Sequence, residues 1–182
     1  MEIIMIYVLL ADGFEEVEAI TPIDIMRRAG LDVLTVSISD NPCVTGAHNI
    51  PVIADINIDE VNTADMKLLM LPGGPGHTKL DGDESVQKLI TYAAENGIYI
   101  AAICASPSII GKRGLLENRQ ATSFPGYEKY LHGARISPEK AVSDGKFITA
   151  RGAGASAEFG FLIVSHLLGE ECAAKLRESM QY

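Results

Sequence analysis

Along the chain, short apolar runs bounded by Gly, Pro or Asp alternate with longer stretches whose apolar residues recur every three to four positions. The short runs predict strands at 3–10, 32–38, 50–53, 67–71, 98–103 and 146–150, and the helical spacing predicts helices at 15–29, 84–96, 106–113, 155–168 and 170–179. Several strands read as unbroken apolar runs ("IIMIYVLL", "KLLMLP", "IYIAAI"), the pattern of strands buried on both faces. Strand–helix alternation of this kind predicts right-handed βαβ units and an α/β fold, a mainly parallel sheet with helices on both sides. Sites in such sheets form beyond the carboxyl ends of the strands. Three turns stand at such ends: "ADGFEE", "LPGGPG" and "CASP".

Composition narrows the picture. A chain of 182 residues, 47% of them hydrophobic, fits one globular domain over residues 1–182. The apolar N-terminal run is too short to span a membrane, is flanked by acid and lacks a basic start, so a buried strand and a cytoplasmic location are expected. A net charge of −9 argues against nucleic acid and anionic membrane surfaces as partners. The cysteines, Cys43, Cys104 and Cys172, do not form a disulfide framework. His48, His77, His132 and His166 never fall at metal-ligand spacing, so no metal is expected. The first strand is not followed by Gly-x-Gly-x-x-Gly, and no P-loop lysine is present. No nucleotide cofactor is therefore expected.

Cys104 carries the strongest chemical signal. A strand running into Cys104-Ala105-Ser106-Pro107 predicts a strand–turn–helix, with Pro107 in the first helical turn and Ser106 as its cap. A cysteine there is presented as in a nucleophile elbow, with its thiolate favoured by free N–H groups and the helix macrodipole. The alternative is a buried structural cysteine, and position alone does not choose. On the helix at 15–29, Glu18 falls within the apolar stripe of Phe14, Pro22, Ile25 and Ala29, whereas Glu16 points away and Glu15 lies at the margin. A carboxyl aimed at a core needs a partner or a proton. Gly73 and Gly74 leave backbone amides free of any Cβ and able to stabilise an oxyanion if they lie beside Cys104; the alternative is a plain tight turn. The glycines after Arg151 offer a possible anion cradle before a helix.

Taken together, "ADGFEEVEAITPIDIMRRAG", "LLMLPGGPG", "AAICASP" and "ITARGAGASAEF" resemble, in order and spacing, the ThiJ/DJ-one/PfpI superfamily, specifically its DJ-one and YajL-like branch. The resemblance implies a flavodoxin-like three-layer sandwich, akin to class I glutamine amidotransferases, with a mainly parallel central sheet. It implies Cys104 as the reactive elbow cysteine and Glu18 as its buried partner. Gly73, Gly74 and Ala105 are implied at the oxyanion and substrate site, with no cofactor, and Arg28 near the contact of a homodimer. Three departures stand out. Phe124 occupies the position where the DJ-one branch carries a histidine, Ala105 stands where PfpI-type proteases carry one, and His48 replaces a basic residue. His166 is followed by Leu167 and Leu168, so the His-x-Glu of the amidotransferases is missing.

Three functions are compatible with this pattern. The first is a cofactor-independent enzyme of glyoxalase or deglycase type, acting on small α-oxoaldehydes or their protein adducts in stress protection. In it Cys104 is the nucleophile and Glu18 the acid and base. The second is a redox sensor or stress chaperone with an oxidisable cysteine. The third, peptide hydrolysis, suffers from the missing histidine, although folding could bring His77 or His132 near.

Overall fold

In a computed structural model, residues 5–182 are described; residues 3–4 of the first predicted strand lie outside them. The predicted frame is present as β1 (Met5–Leu10), α1 (Glu16–Arg28), β2 (Asp32–Ser37), β3 (Cys43–Thr45), β4 (Pro51–Ile53), β5 (Ile56–Asn57), β6 (Met66–Leu71), α2 (His77–Gly82) and α3 (Glu84–Glu95). It continues through β7 (Tyr99–Ile103), α4 (Pro107–Gly111), β8 (Gln120–Ala121), β9 (Arg135–Ile136), β10 (Ala141–Asp144), β11 (Phe147–Ala150), α5 (Ser156–Leu168) and α6 (Glu170–Ser179). Seven of the described strands form one sheet in the order β10-β11-β7-β6-β1-β2-β5. Every pairing is parallel except that of the edge strand β10 with β11.

Alternation along the strands divides the interior into two layers. Ile6, Val8 and Leu10 of β1 pack with Phe159 and Ile163 of α5 and Ile25 of α1. Tyr7 and Leu9 face the other way, onto Val86 and Ile90 of α3 and Ile109 of α4. This is the flavodoxin-like three-layer sandwich. Among the described residues, no helix is long and apolar enough to cross a membrane.

The differences from the sequence pattern are local. The run at 50–53 becomes β4, which pairs with β3 in a separate antiparallel ribbon. The helix expected at 106–113 is the shorter Pro107–Gly111, whose last residue packs against the Tyr130 carbonyl (an added Cβ would stand 2.5 Å from it). Ser106 does not cap that helix; its hydroxyl donates instead to the Pro72 carbonyl at 2.5 Å.

Helices α1 and α5 cross closely, and the crossing places the start of α1 over the sheet. Gly160 of α5 makes it possible: a Cβ there would lie 2.9 Å from Ile25 Cδ1 and 3.1 Å from Pro22 Cα. Replacing Gly160 by Ala gains about 1 kcal/mol of helix propensity and loses about 1–3 kcal/mol to overpacking. Because the Pro22 contact is backbone, the loss wins. Gly160→Ala is expected to lower stability by about 1 kcal/mol in urea unfolding, and an unchanged or higher midpoint would refute this account of the crossing.

Candidate active site

The carboxyl ends of β1, β6, β7 and β11 lie side by side, and the loops that leave them converge on Cys104. Its φ is +66°, a left-handed conformation that a non-glycine residue adopts only when its surroundings enforce it. The Cys104 N–H donates to the Ala150 carbonyl at 2.9 Å, and its carbonyl accepts from the Phe124 N–H at 2.8 Å. The elbow inferred from "CASP" is therefore held from both sides, with the thiol half-buried.

Glu18 reaches the sulfur from α1. Its side chain is 1% exposed, and Pro22, four residues on, has no N–H to offer the Glu18 carbonyl. Gly73 sits against both groups: a Cβ there would stand 2.5 Å from Cys104 Cβ and collide with Glu18 Oε2. The Gly73 and Ala153 N–H groups point at the carboxyl, while those of Gly74 and Ala105 point at the sulfur. Of the two glycines expected beside the elbow, Gly74 turns its amide to the sulfur together with Ala105, and Gly73 turns its amide to Glu18. The loop after Arg151 likewise turns its Ala153 amide to Glu18 rather than to a free anion.

Burial dominates the electrostatics. It raises the Glu18 carboxyl to about 7, with help from the charge of Glu15 and against hydrogen bonds from the Cys104 thiol and the Gly73 and Ala153 amides. Glu18 Oε2 is buried without a hydrogen-bond donor in good geometry. An orphaned buried oxygen is relieved by carrying the proton itself, and the adjacent sulfur is the acceptor at hand. Burial also pushes the Cys104 thiol up to about 12, reinforced by the Glu18 charge and its hydrogen bond and opposed by the Gly74 and Ala105 amides. That direction runs against the expectation of a thiolate favoured by a helix terminus. A five-residue helix has little macrodipole, and two amides do not offset burial beside a carboxylate.

The structure adds a second acidic cluster that the sequence spacing concealed. Glu16, expected to point outward, is only 7% exposed. It accepts from the His48 N–H at 2.7 Å, and its other oxygen lies 2.9 Å from His48 Nδ1, with Glu15 Oε1 3.5 Å from the same nitrogen. Burial works against the Glu16 charge, yet the His48 hydrogen bonds outweigh it and hold the carboxyl below its ordinary value. The Glu16 hydrogen bond and the two negative charges raise His48. Glu15, Glu16 and His48 place donor atoms within 4.8 Å of one another, close enough for a metal ion, so the histidine spacing alone was no guide. Both Glu16 oxygens are engaged by His48, which joins the loop between β3 and β4 to the start of α1.

The remaining candidates lie at the rim or beyond it. Phe124 is 47% exposed and borders a depression of about 390 Å³ with Pro125, Arg151 and Gly152. Arg28 is exposed and paired with Asp24 at 2.8 Å. His166 bonds Ser143 at 2.7 Å and packs on Tyr99, at the start of β7 and so at the opposite end of the strands. Cys43 and Cys172 are half-buried free thiols away from the pair. Sequence reasoning missed two rim contacts. His77 Nδ1 stands 2.8 Å from the Gly74 carbonyl, and the His77 ring packs edge-on against Tyr127.

A mainly parallel α/β sandwich with a strained cysteine at the end of an interior strand, a buried glutamic acid against the sulfur and two amides facing it defines a narrow class of protein. Comparison with known proteins agrees: residues 5–166 match the DJ-1/PfpI family, and the chain belongs to it. It is 35% identical to protein DJ-1 homolog B of Arabidopsis thaliana over 92% of this chain and 39% of that protein, so it spans well under half of that relative. It is 31% identical to the glutathione-independent glyoxalase DJR-1.2 of Caenorhabditis elegans, over 86% of this chain and 84% of that one. The crystal structure of a DJ-1 superfamily protein from Salmonella typhimurium superposes with a TM-score of 0.93 at 30% identity, covering 98% of both chains.

The raised Glu18 value has a consequence for stability. A folded-state value near 7 against an ordinary 4.5 means that the folded protein holds this proton more tightly than the unfolded chain. The associated stability is full below pH 4.5 and is lost as the pH rises through 7. The loss is on the order of 3 kcal/mol. Glu18→Gln, which cannot ionise, is expected to gain about that much relative to wild type between pH 4.5 and pH 8 in urea unfolding. Parallel stability profiles for the two proteins would contradict the assignment.

Proposed function

We propose that the protein is a cofactor-independent enzyme that converts small α-oxoaldehydes, or their early adducts on protein amines, to hydroxy acids. The observation that carries this reading is the contact of Cys104, on its left-handed elbow, with a Glu18 carboxyl poised near neutrality. The similarity to a glyoxalase of the same family supports it. With the thiol held high, the ionised fraction of Glu18 is the base that takes the Cys104 proton as sulfur attacks the aldehyde carbon. The aldehyde oxygen then gains the bonding pair, facing the Gly74 and Ala105 amides. Glu18 protonates it to give a hemithioacetal. The carboxylate next removes the proton from that carbon to give an enediolate and delivers it to the adjacent carbon, while the hydroxyl proton passes from the first oxygen to the second, leaving the thioester of a 2-hydroxy acid. Water cleaves the thioester and restores the thiol. The sum is α-oxoaldehyde plus water to 2-hydroxy acid, with no oxidant because one carbonyl is oxidised as the other is reduced; an adduct releases its amine in addition.

Phe124 at the rim leaves Glu18 to carry each proton transfer, so slow turnover is expected. We also propose a homodimer formed through α1, where Val17 (47% exposed) and Ile20 (41% exposed) share a face with Arg28.

The test is lactate formation from methylglyoxal. Wild type is expected to turn over, Cys104→Ser to lose activity at least about a hundredfold, and Glu18→Gln to lose most of its kcat. No wild-type turnover, with peroxide producing a stable oxidised Cys104 and a change in dimer stability or holdase activity, would overturn the enzyme reading in favour of a redox sensor. Casein cleavage abolished by Cys104→Ser would favour a protease.

A further inference from the structure

The turn that carries the Gly74 amide is made of residues that hold no conformation by themselves. Gly73 and Gly74 lack Cβ atoms, and Gly74 has φ +85°. A peptide plane between two glycines rotates at little cost, and a half-turn of the Gly73–Gly74 plane replaces the N–H facing Cys104 with a carbonyl. An oxyanion beside that carbonyl would be repelled rather than stabilised.

Three consecutive carbonyls of this turn are each tied away from the sulfur. The Gly73 carbonyl accepts from the Glu15 N–H at 3.0 Å, which fixes one edge of the plane whose other edge is the Gly74 N–H. The two flanking carbonyls are held by side chains. Ser106 Oγ, fully buried, donates to the Pro72 carbonyl at 2.5 Å. His77 binds the Gly74 carbonyl twice, through its backbone N–H at 3.1 Å and through Nδ1 at 2.8 Å. A carbonyl oxygen only accepts, so Nδ1 carries the proton and is the donor. The edge-on packing of Tyr127, at 5.4 Å between ring centroids, sets the plane of the imidazole for that bond. Ser106 follows the Cys104 elbow directly and ties it to the turn; His77 opens α2 and ties the same turn from the far side.

We propose that His77 and Ser106 are positioning residues that clamp the Pro72–Gly74 turn from both sides and so keep the Gly74 N–H facing Cys104. This inference rests on the reading of Cys104 as the reactive group. It gives His77 a role distinct from a substitute for the histidine missing at position 124: its bonded nitrogen is committed to a backbone carbonyl.

The experiment compares wild type, His77→Ala, His77→Asn and Ser106→Ala by the pH profile of Cys104 alkylation with iodoacetamide. Mass spectrometry reads the modified sites, with Cys43 and Cys172 as internal references. An amide that favours the thiolate is lost for the fraction of time that the turn is flipped, and one hydrogen bond biases such an equilibrium by up to about tenfold. His77→Ala and Ser106→Ala are therefore expected to slow Cys104 alkylation at pH 7 by about threefold to tenfold and to move its midpoint upward. The reference cysteines should not change. His77→Asn, which keeps a side-chain donor in reach of the carbonyl three residues back, is expected to stay within about twofold of wild type. Where methylglyoxal turnover is measured, kcat should fall in the same order with little change in KM. Superposable alkylation profiles for wild type and both alanine variants would overturn the proposal. So would a His77→Asn protein as impaired as His77→Ala, because packing against Tyr127 and not the donor would then matter. Absence of methylglyoxal turnover in wild type would count against the enzyme reading alone, since alkylation reports the clamp without it.

Discussion

The arrangement around Cys104 depends on a backbone conformation that the residue would not choose. A left-handed non-glycine residue costs about 1–3 kcal/mol, and here the cost is met by two hydrogen bonds, to the Ala150 carbonyl and from the Phe124 N–H. Those bonds tie β7 to its sheet neighbour β11 on one side and to the 124–130 segment on the other. With the elbow fixed, the thiol lies beside Gly73 and Glu18, with the Gly74 and Ala105 amides directed at it. The close approach of these groups is possible because Gly73 has no side chain, and the burial that results shifts both titrating groups.

Burial and proximity thus act in one direction on the carboxyl and on the thiol, and this changes which group does what. A helix terminus beside a cysteine suggests a thiolate already formed at rest. Here the amides of Gly74 and Ala105 face the sulfur, yet removal of water and the neighbouring carboxylate outweigh them. In the proposed mechanism Glu18 takes the thiol proton during attack. The proposed clamp fits the same logic: when only two amides oppose burial, the loss of one by a peptide flip would leave the sulfur with a single amide.

Much of this was legible in the sequence because it follows from hydrophobic pattern. The continuous apolar runs of β1, β6 and β7, short and bounded by turn residues, read as strands buried on both faces, and Glu18 stood out because it interrupted the stripe of Phe14, Pro22 and Ile25. What escaped was set by contacts between distant segments. The edge strand β10 ("AVSD") has too little apolar character to announce itself, and β5 is two residues long. Helix α2 ("HTKLDG") buries only Leu80 and so shows no apolar period. Glu16 read as a solvated acid because its partner, His48, lies 32 residues away. Ser106 read as a helix cap because the Pro72 carbonyl that takes its hydroxyl is 34 residues distant.

The bond between the Cys104 N–H and the Ala150 carbonyl also bears on how the chain is assembled during synthesis. Glu18, Gly74 and Cys104 all emerge before residue 150, but the elbow lacks one of its two backbone supports until β11 has paired with β7. Parallel pairing of Ile100 with Phe147 and of Ile103 with Ala150 is a late, non-local step. The environment of Cys104 is therefore complete only once the last parallel strand has docked.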